Sequence, residues 1–425
     1  MKRNTATCQV KDIDKFKQQM LNWANRFNIF LFLDSHNYKD KYSGEEWILA
    51  ADATKKFLPT ENLFDDLKTF INADNNWIFG HLNYDLKNRI EPLVSDHPDK
   101  VGFLDIFLFV PDILIRKKED LIEISSSDIS PLEIFDQIQI RSVDKRTSQP
   151  VQILPKIPKV DYLQTIKKLQ EHILKGDCYE INFCQEFFTE NANIDPLDLY
   201  QKLTRVSPTP FAGFYKLDDK YLLCASPERF LRKIDGKVIS QPIKGTIRRN
   251  LQDTYADEKL KVELSSSQKD KSENVMIVDL MRNDLSKICK EGSVEVEELF
   301  GIYTYPQVHQ MISTVIGEIK DEVDFADILY ATFPMGSMTG APKRRVMQLI
   351  EHYEKTKRGI FSGSIGYIDP NGNFDFNVVI RSLMYNQSNS YLSYQVGGGI
   401  TFYSDPEKEY EECLLKAEAI KKVLS

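Results

Sequence analysis

Two spacings of apolar positions take turns along the chain. In KVDYLQTIKKLQEHILKGD, Tyr162, Ile166, Leu169 and Ile173 recur at the period of one helix face, and Gly176 ends the run. DKFKQQMLNWANRF, residues 14 to 27, carries the same helical signal. Elsewhere, short apolar runs predict strands: WIFGHLNYDL (77 to 86), FLDIFLFVPDILI (103 to 115), CYEINFCQEFF, YLLCASPERFLRKI, KVISQPIKG, GIFSGSIGYI, FNVVIRSLMY and NSYLSYQVGGGI. Many strands at hairpin spacing, with helices among them, predict an α+β fold built on large antiparallel β-sheets. The polar, proline-punctuated stretch from Ser125 to Lys159 marks a boundary or crossover near residue 155, separating residues 1–155 from 156–425.

Two helical patterns carry paired acids. SSSQKDKSENVMIVDLMRNDL (265 to 285) opens on serines able to cap, and Ile277, Leu280, Met281, Leu285 and Ile288 form its apolar face. Asp270 and Glu273 then share a face near its start. DPEKEYEECLLKAEAIKKVL (405 to 424) has Asp405 as cap and Pro406 at the first helical position; Tyr410, Cys413, Leu414, Ala417 and Ile420 form one stripe, and Glu409, Glu412 and Lys416 another face. Like charges so spaced cost a helix about 0.2–0.5 kcal/mol, so the two acid pairs invite a counter-ion, and a hard cation such as Mg²⁺ suits oxygen ligands.

Composition removes several classes. With 425 residues, 42% hydrophobic and 28% charged, the chain is long enough for two lobes or one large core. A net charge of −8 with no long basic run excludes the electrostatic footprint of nucleic-acid or anionic-membrane binding. Apolar runs such as IFLFL, residues 29 to 33, fall far short of a membrane span, and MKRNTATCQVKD lacks a signal-peptide core, so a cytoplasmic location is expected. The six cysteines form no CxxC pair, zinc pattern or disulfide framework and are expected as small buried side chains. FPMGSMTGAPK (333 to 343) lacks P-loop spacing, and the glycines 397 to 399 could cradle a carboxylate on backbone N–H groups. QPIKGTIRR places Lys244 inside a short apolar strand signal, directly before a glycine.

Taken in order, SPERF (226 to 230), PIKGTIRR, ENVMIVDLMRNDL, STVIGE, FPMGSMTGAPKRR, SGSIGY, VVIRSL, VGGGI and EYEECLLKA resemble the chorismate-utilising enzyme family. The resemblance runs from about residue 157 to the end, with weaker echoes in FLFLDS and WIFGHLNYD. It implies a sandwich of large antiparallel β-sheets flanked by helices, chorismate as substrate, and Mg²⁺ gripping the ring carboxylate as the ring hydroxyl leaves. Glu273 and Glu412 match the family's metal positions, with Asp270 and Glu409 adjoining them. Tyr367, Arg381 and the backbone of Gly397, Gly398 and Gly399 match positions that hold the enolpyruvyl carboxylate, and Lys416 matches a second cation. Glu228 matches the general acid for the departing hydroxyl, and Thr246 adds a hydroxyl near the reacting oxygen.

Lys244 separates branches of that family. Its anthranilate synthases usually carry alanine there, whereas its aminodeoxychorismate synthases carry PIKGT. By this resemblance the amine attacks C2 as the C4 hydroxyl departs, and ammonia then adds at C4 and expels the lysine, giving 4-amino-4-deoxychorismate for para-aminobenzoate and folate synthesis. The amine must be unprotonated, which predicts desolvation and nearby positive charge lowering its pKa. Where many relatives carry a histidine three residues before Ser313, this chain has Gln310, with His309 one place earlier. Isochorismate and salicylate synthases need a lysine in the strand CYEINFC; Glu180 stands there, which disfavours hydroxylation. No cysteine lies in a GxCxG turn, so ammonia is expected from a separate glutamine amidotransferase subunit, with a separate aminodeoxychorismate lyase downstream. The alternatives are anthranilate synthesis and a non-catalytic chorismate or tryptophan binder, since some relatives hold tryptophan in the N-terminal half. Lys244, Glu228 and both acid pairs argue against the second.

Overall fold

Alternation inside IFLFL accounts for the architecture. In the strand Ile29–Asp34, Phe30 and Phe32 enter one core with Trp47 and Phe214, while Leu31 enters another with Ala50 and Tyr215. A strand buried on both faces reads as an unbroken apolar run. The computed structural model describes residues 3–142, 148, 150–305 and 307–425, so that much of the polar stretch RSVDKRTSQP lies outside the described residues.

Two sheets, of 12 and 10 strands, make up the body. Their ladders among the described residues are antiparallel, as in the pairings of Ile29–Asp34 with Phe211–Leu217 and of Ile78–Leu82 with Ser364–Ile368. Leu31, Tyr215 and Leu222 of the larger sheet meet Phe79, Phe109 and Phe376 of the smaller in a shared core. The other face of the larger sheet packs on Phe16, Ile134, Leu203 and Ile420, from the helices Ile13–Ala24, Pro131–Gln139, Pro196–Val206 and Glu418–Leu424. The expected helix-flanked sandwich is therefore present. In both sheets, strands from before residue 155 pair directly with strands from after it.

Local signals set most element ends. The helix Lys159–Leu174 stops just before Gly176, whose φ of 82° lies in the left-handed region that glycine adopts at little cost. Ser267 caps the helix Gln268–Ser286, accepting from the Asp270 N–H, and Asp405 caps Pro406–Lys416. Two expected elements divide. DPEKEYEECLLKAEAIKKVL breaks at Ala417 into two helices. FNVVIRSLMY yields the strand Phe374–Asn377 in the smaller sheet and Ser382–Asn386 in the larger, because the chain crosses between sheets there. All six cysteines are buried free thiols, and no helix among the described residues is long and apolar enough to cross a membrane.

Candidate active site

At one end of the sandwich a cavity of about 1190 Å³ opens between the two sheets and the helices Gln268–Ser286 and Pro406–Lys416. Lys244 reaches into it from the strand Ile243–Arg248, which slips register against Val308–Glu318 between Ile243 and Thr246. Gly245 makes that irregularity feasible: its φ is 88°, and a Cβ there would lie 3.0 Å from the Asp270 side chain. Thr246 also lines the cavity, its hydroxyl accepting from Gln310 Nε2 at 3.3 Å.

The environment of Lys244 corrects one expectation. Its ammonium, 9% exposed as a residue, is hydrogen-bonded to Oε1 of buried Glu180. Burial alone would lower its pKa, but the charges of Glu180, Glu273 and Glu228 outweigh burial and hold it above the ordinary lysine value. Acids, and not the expected positive charge, surround the amine. Glu228 follows the strand Lys220–Ser226, and burial pushes its pKa up to about 7 against the Ser337 hydroxyl, Lys244 and Arg381. Near neutrality it therefore retains a proton to give.

The acids of the two helices converge on a cation already present. Lys269 Nζ lies 3.3 Å from Glu409, 3.9 Å from Glu273 and 4.0 Å from Glu412. Lys416 pairs with Glu412 at 2.9 Å and donates to the Gly397 carbonyl at 2.9 Å. Glu273 Oε1 is buried without a hydrogen bond, and burial pushes this carboxyl up to about 7, whereas Lys416 holds Glu412 below the usual carboxylate range. Asp270 stands apart, against Gly245. Among the described residues no three metal-ligating side chains are close enough to hold an ion as they stand. The donor chemistry nevertheless fits a hard cation: carboxylate oxygens only, one of them orphaned, grouped about a positive charge.

Arg381 has φ 51° at the crossing between sheets, and its guanidinium makes no ion pair or hydrogen bond among the described residues while lining the cavity. It is poised for an anion, to which arginine offers a planar fork. Gly397, Gly398 and Gly399 lie within the strand Tyr391–Ile400 rather than after it, paired with Cys184, Phe183 and Asn182. Their neighbour on the other side pairs only as far as Ser393, leaving a backbone edge toward the cavity. A Cβ at Gly398 would lie 3.3 Å from Glu409 Oε2, and one at Gly399 2.4 Å from Glu180 Oε1 and 2.9 Å from Lys244 Nζ.

Tyr367 does not join this site. Strand alternation and the position of Ser364–Ile368 in the smaller sheet turn its ring toward Trp77 and Phe79, into a second cavity of about 200 Å³ that Leu33, Asp34 and Ser35 of FLFLDS also line. Phe361, six positions earlier, lines the larger cavity instead. Alternation also separates His309 from Gln310. The imidazole is buried against Asp257 at 3.1 Å and Thr304 at 3.0 Å, while Gln310 faces the cavity. Sequence reasoning missed Glu180 as a partner of Lys244, Ser337 beside Glu228, and Lys269. The last was readable, since Lys269 and Glu273 stand four apart on one helix.

Known proteins resemble this chain in sequence and fold. The sequence fits the family described as chorismate binding enzyme over residues 28–422. It is 33% identical to aminodeoxychorismate synthase component 1 of Escherichia coli (strain K12), over 81% of this chain and 76% of that protein. It is 41% identical to a probable chloroplastic aminodeoxychorismate synthase of Oryza sativa subsp. japonica over 63% of this chain, spanning only 30% of that longer protein. The crystal structure of anthranilate synthase component I from Streptococcus pneumoniae TIGR4 shares the fold, with a TM-score of 0.80 at 24% identity, covering 90% of this chain and 94% of that one. With the family's match running through both sheets and every wall of the larger cavity, the chain belongs to the chorismate binding enzyme family.

Proposed function

We propose that this chain aminates chorismate at C4, forming 4-amino-4-deoxychorismate. The observation that carries the reading is Lys244, a buried amine inside the cavity, with the proton-bearing Glu228 and the unpaired Arg381 nearby. Arg381 and the backbone edge of Gly397 to Gly399 take the enolpyruvyl carboxylate. The Lys244 nitrogen bonds to C2, the ring double bond shifts, and the C4 hydroxyl leaves as water with a proton from Glu228. Ammonia then adds at C4 and the lysine departs, so C2 is blocked while C4 is aminated.

Mg²⁺, held by Glu273 and Glu412 with Glu409 adjoining, would supply positive charge to the ring carboxylate. The donor set and the Lys269 ammonium at its centre support that assignment. Ammonia comes from a separate glutamine amidotransferase subunit, a reading supported by the "component 1" in the name of the Escherichia coli relative and by the burial of every cysteine. A separate lyase would consume the product.

Purified protein given chorismate, Mg²⁺ and ammonium should yield 4-amino-4-deoxychorismate by chromatography and mass spectrometry. Lys244→Ala should lose most of that product and, at high ammonium, gain some C2-aminated product or anthranilate. Accumulation of anthranilate by the wild type would overturn the reading.

A further inference from the structure

Lys244 cannot attack carbon while it carries a third proton, and its hydrogen bond to Glu180 offers that proton a destination. Among the described residues Glu180 is the only carboxylate ion-paired with Lys244, and their hydrogen bond is buried. The second oxygen of Glu180, Oε2, is buried with no hydrogen-bond partner, so no other donor claims this carboxylate. Glycine occupies the strand position where the two meet, since a Cβ at Gly399 would collide with both Glu180 Oε1 and Lys244 Nζ. Glu273 and Glu228 act on the amine through their charge without ion-pairing to it; Glu273 and Glu412, from the two helices, also face Lys269, Glu228 has the Ser337 hydroxyl beside it, Lys416 pairs with Glu412, and Asp270 lies against Gly245.

We propose that Glu180 is the proton acceptor of Lys244, taking the ammonium proton through Oε1 as the amine attacks and returning it when the lysine is released. The inference rests on the amination reading above. The proton moves one hydrogen-bond length from Nζ to Oε1, converting a buried ion pair into a neutral amine and carboxylic acid with no change in net charge. At rest the surrounding acids hold the proton on the amine, so the transfer proceeds only as the nitrogen lone pair commits to C2. The nitrogen lone pair then bonds to C2, and the C4–O bond breaks as Glu228 gives its proton to the leaving oxygen. When ammonia adds at C4, the C2–N bond breaks and the lysine leaves as a neutral amine. Glu180 hands its proton back, and Glu228 recovers one from the new ammonium group. Across the cycle chorismate and ammonia become product and water.

The test follows adduct mass on the Lys244 peptide after rapid quenching, with chorismate and Mg²⁺ but no ammonia, from pH 6 to 9. Wild type, Glu180→Gln, Glu180→Asp and Lys244→Ala are compared, with circular dichroism and chorismate affinity as controls for folding and binding. In Glu180→Gln the proton must leave to water, so adduct should form about 100-fold more slowly at pH 7. The ratio of its rate to the wild-type rate should climb with pH, about tenfold per unit until Lys244 itself titrates. Glu180→Asp should keep the wild-type pH profile at a lower rate, and chorismate affinity should not change. A Glu180→Gln profile that tracks wild type, or lies below it by a constant factor at every pH, overturns the proposal. No adduct in the wild type, with normal turnover by Lys244→Ala, overturns the amination chemistry itself and this inference with it.

Discussion

A carboxyl whose burial outweighs the hydroxyls and the lysine charge near it writes itself into the pH dependence of the fold. Glu186 lies on the same strand as Glu180, and burial pushes its pKa from 4.5 up to about 7. The unfolded chain releases this proton near 4.5 and the folded chain only near 7, so stability present below 4.5 is lost as pH rises to 7 and stays lost above it. Glu186→Gln should therefore melt close to wild type at pH 4.5 and exceed it at pH 8 by up to about 3 kcal/mol. Equal offsets at the two pH values, read by thermal unfolding, would contradict this. The acids of the helix pair make a different prediction. Glu273→Gln and Glu412→Gln each remove a negative charge from the cation site and should lose most activity with the fold intact. Unchanged Mg²⁺ dependence in both variants would leave these acids as partners of Lys269 and nothing more.

Among elements, the strand Tyr391–Ile400 separates folding from chemistry within three residues. A Cβ at Gly397 would lie 2.1 Å from the Phe183 carbonyl, a backbone atom that cannot yield without breaking the ladder. At Gly399 it meets instead the far ends of the Glu180 and Lys244 side chains, which can move. Gly397→Ala should thus lower the melting temperature markedly, whereas Gly399→Ala should keep most stability and lose most activity. The reverse ranking would sink the argument. Elements whose signals are local were legible in the chain: the period and stop of Lys159–Leu174, and the caps at Ser267 and Asp405. Lys244, Glu228, Arg381, Glu273 and Glu412, which line one cavity, sit in contiguous motifs, whereas Asp270 of the first acid pair stands apart, against Gly245. What depended on pairing was not legible. The crossing at Arg381 and the facing of Tyr367 and Phe361 follow from which sheet each strand joins, which no local pattern states. Lys244 meets Glu180 across 64 positions of sequence. Its pKa was misjudged for that reason.

At the scale of the molecule, interleaving matters more than any boundary in sequence. Residues 156–425 alone would leave Phe211–Leu217 without Ile29–Asp34 and Ser364–Ile368 without Ile78–Leu82, exposing apolar strand edges in both sheets. That fragment should aggregate when expressed alone and become soluble when co-expressed with 1–155. A soluble, active fragment would contradict this. A single buried arginine shows how the two halves of the cavity wall are tied. Arg358 donates to the carbonyls of Asn182 at 2.8 Å and Met338 at 2.6 Å, while Glu354, which it pairs at 2.7 Å, accepts the Cys184 N–H at 2.9 Å.

Asn182 is two residues from Glu180, and Met338 follows Ser337, the partner of Glu228. Arg358 thus ties the segment bearing Glu180 to the one bearing the hydroxyl that faces Glu228. Removing that arginine should therefore loosen the spacing between Glu180 and the Ser337 hydroxyl, on which the placement of one substrate between the two carboxyls depends.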